Sequence, residues 1–233
     1  MRTLALSALI ALAACAPQRP LPFAVPQSAN PSAVIAAEIA FNRLAQEKGQ
    51  WTAFRETAAK QATMFVPGVV DAQTWLKGRA DPPKSVKWQP HKVFMSCDGK
   101  TAVTTGAWQR PDGSVGYFTT VWQWIPKDKP DPRFPNVMGD GEWKWVMDHG
   151  DALTAERVAP EFLETKVASC KGRANAPIMA PAEGVQMKSG LSFDQSLNWE
   201  WQVAPDNSRT VIVRLWNGSD FDDVLTDKVA AER

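Results

Sequence analysis

The chain has 233 residues, enough to bury one sizeable core or a domain with an appendage. Its 26 Lys and Arg balance 25 Asp and Glu without a long block of one sign, which argues against a dedicated nucleic-acid surface. Eleven tryptophans against a single tyrosine point to large anchors for a core or a ligand site.

In chain order, the first stretch is MRTLALSALIALAACAPQ: one arginine, a short apolar run and small residues at its end. The run is too short to span a bilayer as a helix and has the layout of a secretory signal over residues 1–14. Leu12-Ala13-Ala14-Cys15 resembles the lipobox of bacterial lipoproteins. That resemblance implies cleavage before Cys15, acylation of that cysteine and attachment to a membrane. Ala16 in the next position resembles the outer-membrane class, so the expected location is the periplasmic face of the outer membrane. Residues 15–31, rich in proline, read as a tether. In an oxidising periplasm the two other cysteines, Cys97 and Cys170, are a disulfide pair or else two separate buried thiols.

Asn30-Pro31 supplies an N-cap and a first-turn proline, so a helix is expected to about Lys48, with Gly49 closing it. QWTAFRETAAKQA predicts a second helix, ATMFVPG a short buried strand and DAQTWLKG a helical segment. Period-two patterning then predicts four antiparallel strands: SVKWQPHKVFMSC, broken or bulged near Pro90, then KTAVTTGAWQR, GYFTTVWQWIP and EWKWVMDHG. Residues 126–140 read as loop, those from Ala152 to Gly172 as mixed with weak helical character, and 172–190 as loop. SLNWEWQVA, TVIVRLW and FDDVLTDKVA predict three closing strands, with Asn217-Gly218 as a tight turn.

The stretches AEIAFNRLAQEKGQWTAFRE, MFVPG and GEWKWVMDHGD together resemble the nuclear transport factor 2-like, or ketosteroid isomerase-like, superfamily. The resemblance covers about residues 32–151 and leaves residues 152–233 as a C-terminal extension with a β-meander. It implies an α+β fold in which a cone-shaped, curved antiparallel sheet packs on N-terminal helices around a cavity. Superfamily members include isomerases, cyclases, dehydratases and proteins that only bind or dimerise, so the fold does not fix the function.

Strand alternation assigns Trp143, Trp145, Met147 and His149 to the cavity face, with Lys144, Val146 and Asp148 behind. Phe118, Thr120, Trp122 and Trp124 form the matching set on the neighbouring strand. On the first helix Glu38 falls in the apolar stripe of Val34, Phe41 and Ala45. A carboxylate there must be paired, hydrogen-bonded or protonated. Two readings follow. One is a binding pocket lined by Phe41, Trp122, Trp145 and Met147, open to a small apolar or amphipathic ligand or to a protein partner, a second copy of the chain included. The other is an isomerase, dehydratase or cyclase in which Glu38 and His149 move a proton. Against the second, Glu38 can simply pair with a nearby basic residue or bond to a backbone amide, and His149 can be a strand-end residue held by Asp148 or Asp151. A third reading makes Trp199, Trp201 and Trp216 a glycan contact. With two distant histidines, no phosphate-gripping glycine loop and no Cys-x-x-Cys, neither metal nor cofactor is expected.

Overall fold

A computed structural model describes residues 29–128, 139–172, 174–176 and 180–231. The expected signal, the Cys15 lipid site, most of the tether and most of the 126–140 loop lie outside those residues. The architecture is α+β, with three layers: helices, a mixed seven-stranded sheet and a second, four-stranded sheet. Among the described residues no helix is long and apolar enough to cross a membrane.

Helix α1, Pro31–Lys48, starts as its caps dictate. The Asn30 side chain accepts a hydrogen bond from the Ser32 amide, and Pro31 sits in the first turn. Gly49 ends it at φ 109°, a conformation open to glycine, and its N–H returns to the Ala45 carbonyl. Val34, Glu38, Phe41 and Ala45 form the buried stripe, as the spacing requires. Helix α2, Gln50–Thr57, is shorter than its pattern predicts. Residues from Ala58 onward leave the helix for strand β1, Ala58–Phe65, which pairs in parallel with the later strand β6, Gly141–Leu153. The helix propensity of Ala-Ala-Lys-Gln is worth tenths of a kcal/mol per residue and loses to that pairing and to burial of Ala58, Ala62 and Met64. Strand β2, Val69–Asp71, and helix α3, Ala72–Leu76, follow, the latter capped by Asp71.

The meander consists of β3, Lys87–Met95; β4, Thr101–Gln109; β5, Val115–Pro126; and β6, Gly141–Leu153. The sheet order is β2-β1-β6-β5-β4-β3-β7, where β7 is Glu164–Val167. The four central strands are antiparallel as expected, but β1 on β6 and β7 on β3 are parallel, so the sheet is mixed. Strand β3 bulges between Pro90 and Lys92, where proline has no N–H for the ladder and His91 is the extra residue.

Downstream of β6 the weak helical pattern forms no helix. The segment instead supplies β7, which extends the first sheet. Strands β8, Gln186–Leu191; β9, Leu197–Val203; β10, Arg209–Trp216; and β11, Phe221–Val229, form the second sheet in the order β11-β10-β9-β8. Strand β8 stands where loop was expected. Its polar sequence reads as unstructured, yet Gly190 lets the Trp199 indole lie against its backbone; a Cβ there would come within 2.4 Å of the ring.

Two apolar clusters result. One, between helices and first sheet, centres on Phe41, Leu76, Trp88, Met95, Trp122 and Trp145. The other, between the sheets, joins Phe94, Val103, Val121 and Met147 to Trp199, Trp201, Val211 and Leu215. Full burial of one such side chain stabilises by about 1.5–3 kcal/mol. Cys97, in the turn between β3 and β4, and Cys170, just past the end of β7, form a disulfide.

Candidate functional site

A second bulge decides the chemistry. On β5, Trp122 pairs with Trp145 and the next residue back, Val121, pairs with Met147, so Val146 is the unpaired extra residue. The bulge inverts the parity of β6 from that point on. Trp143 and Trp145 face the helices, as alternation predicts. Met147 and His149 turn to the second sheet, and Asp148 turns to the helices. Glu38 and His149 therefore lie on opposite faces of the sheet and cannot share a substrate, which removes the proton-transfer pair expected from alternation.

Glu38 is fully buried and hydrogen-bonded on both oxygens. Oε1 accepts from the Trp88 indole N–H at 2.7 Å; Oε2 accepts from the Trp122 indole at 2.8 Å and the Thr104 hydroxyl at 2.5 Å. Burial raises its pKa, and the three donors act against that rise. Its role is to tie α1 to β3, β4 and β5. Trp122 and Trp145, 1% and 0% exposed, are core beside it rather than a ligand platform.

Asp148 is the carboxylate that reaches an open space. Its Oδ2 accepts from the Thr120 hydroxyl at 2.7 Å, and among the described residues no second donor bonds it. Burial first, and then the negative charge of Glu38, push its pKa up to about 7, against the lowering effect of Thr120. It lines a cavity of about 310 Å³ whose walls include Phe41, Trp51, Phe54, Trp88, Trp108 and Phe118. The rings hold one another edge to face: Phe41 stands 4.8 Å from both Phe54 and Trp88, and Trp51 is 5.7 Å from Phe54. Arg110 and Asp151 also line the cavity, and the Arg110 guanidinium lies 4.6 Å over the Trp108 ring. Of the four expected pocket residues Phe41 is a lining residue, Trp122 and Trp145 sit in the core alongside, and Met147 belongs to the opposite face.

His149 anchors a polar cluster between the sheets. Its Nδ1 accepts from Arg209 Nε at 2.8 Å, which leaves the proton on Nε2. Nε2 faces Asp227 Oδ2 at 3.7 Å, too far for a hydrogen bond. Asp227 instead accepts from Thr119 at 2.7 Å. Burial, then the Arg209 charge, lowers the imidazole's pKa well below its ordinary value. Arg209 also donates to the Pro67 and Gly150 carbonyls, so it fastens the second sheet to the first. His91 is 5% exposed in its bulge, with a pKa lowered by burial and then by Arg157.

Trp199, Trp201 and Trp216 are 3%, 5% and 9% exposed, so they offer no stacking face to a glycan. Alternation missed Asp148, and helix and strand spacing left Trp51, Phe54, Trp88 and Trp108 unassigned as lining. No protein-family model and no curated protein sequence matches the chain.

Proposed function

We propose that this protein binds a small apolar or amphipathic ligand in the cavity between its helices and first sheet, while a lipid on Cys15 holds it to the periplasmic face of the outer membrane. The observation that carries the reading is a carboxylate with a free acceptor oxygen at the wall of a ring-lined cavity of about 310 Å³. That is the composition of a small-molecule site, mostly apolar with few polar groups to fix orientation. The Cys97–Cys170 disulfide fits an oxidising compartment. The order of two helices, two strands, helix and meander fits a cone-type domain of the nuclear transport factor 2-like kind, whose concave face would form the cavity.

Incubating the purified chain with an envelope extract, followed by native mass spectrometry, tests the pocket. A bound small molecule lost on Phe54→Ala supports it; recovery of the bare chain alone overturns it. Substituting Cys15→Ala tests the anchor separately. The variant is expected in the soluble fraction, and continued sedimentation with membranes rules out the lipid.

A further inference from the structure

The cavity's charges are unevenly placed. Asp148 sits on β6 beside Thr120, with Glu38 behind it on α1, so the wall there carries negative potential. Among the described residues the one cation lining the cavity, Arg110, is exposed and already spread over Trp108. His149 is neutral and its ring is turned to the other face. What remains for a ligand is the free oxygen of Asp148 beside several aromatic rings. A ring's face is electron-rich and attracts cations, an attraction worth roughly 0.5–2 kcal/mol and greater when water is excluded. Carboxylate and rings together favour a positive group over an isosteric neutral one.

Resting on the pocket reading above, we propose that the cavity selects an organic cation: an apolar ring or alkyl body carrying a protonated amine, with the ammonium against Asp148 and the body against Phe41, Phe54 and Trp88. The charge pairing has a linked consequence. A cation favours ionised Asp148, so its binding below neutral pH expels a proton from the carboxyl group into solution.

Three matched probes separate the possibilities by titration calorimetry on the full chain: 2-naphthylmethylamine, 2-naphthylmethanol and 2-naphthoate. At about pH 8, where the amine is protonated and Asp148 ionised, the amine is expected to bind at least ~10-fold more tightly than the alcohol. The gap is expected to close at about pH 5, and in Asp148→Asn at either pH. Near pH 6 the heat of amine binding should depend on the buffer's ionisation enthalpy in the native chain, showing proton release, and not in Asp148→Asn. Should the alcohol or the naphthoate bind at pH 8 as tightly as the amine, the cation preference is wrong while the pocket stands. Should none of the three bind, both are wrong.

Discussion

The two faces of the seven-stranded sheet bury ionisable groups in opposite ways. On the helix side Glu38 has a donor for every bond it makes, yet its neighbour Asp148 keeps an acceptor free beside a cavity. On the second-sheet side His149, Arg209 and Asp227 are packed among apolar residues, and the mismatch there is a buried donor, His149 Nε2, that makes no hydrogen bond among the described residues. The Tyr117 hydroxyl in the same layer also has no hydrogen-bond partner among the described residues. The contrast separates two meanings of a perturbed pKa. Burial alone marks a structural joint; burial beside empty volume marks a candidate site.

The comparison can be broken by substitution. The largest loss should come from Glu38→Ala, which strands two indole donors and a hydroxyl. At about 1–3 kcal/mol per orphaned group, the expected loss is roughly 5 kcal/mol, read from the urea midpoint. A loss under about 1 kcal/mol would mean Glu38 is not the joint described. Next, Cys97→Ser with Cys170→Ser frees a crosslink spanning 73 residues of sequence. The chain-entropy model gives about 4 kcal/mol, and an unchanged midpoint would show that the two sheets hold without it.

The two faces should also differ in the sign of their pH dependence. Asp148 has a folded pKa of about 7 against the 3.8 of an ordinary aspartate, so between those values the folded chain holds a proton the unfolded chain lacks. Its contribution is fully present below the lower value and is lost as pH rises through the upper one. His149 is depressed, so below about pH 6.5 the unfolded chain binds the extra proton and stability falls as pH falls. In the shared acid window the two slopes oppose each other, each at most about 1.4 kcal/mol per pH unit. Asp148→Asn should therefore steepen the loss of stability toward acid, and His149→Gln should flatten it. Melting curves taken at several pH values decide this, and equal slopes for both variants would contradict the assignment. The smallest effect is expected from Thr120→Val, which removes the hydroxyl that donates to Asp148. Stability should change by about 1 kcal/mol, while the carboxyl titration, followed by NMR, moves further upward.

Much of this organisation is legible in the residues. Caps mark both ends of α1, and the buried position of Glu38 follows from its spacing. The four-strand meander and the closing strands follow from alternation and turns. The site itself is less legible. Trp145-Val146-Met147 is apolar at three consecutive positions, so period-two counting cannot reveal that Val146 is a bulge. With both faces of the sheet covered, polarity no longer reports which way a side chain points. That single extra residue exchanges Asp148 for His149 at the cavity. Strand β8 was hidden for another reason: exposed at the sheet's edge, its Gln, Lys and Ser carry no apolar pattern.

The second sheet gives the seven-stranded one a back that cannot face water. A nascent chain that has emerged only as far as Leu153 presents Val103, Val121 and Met147 without their cover, since Leu197, Val211 and Leu215 have yet to be made. Folding must then wait for the last third of the chain. A shortened version ending at β6 would be sticky rather than minimal, prone to self-association before any ligand could be offered to it.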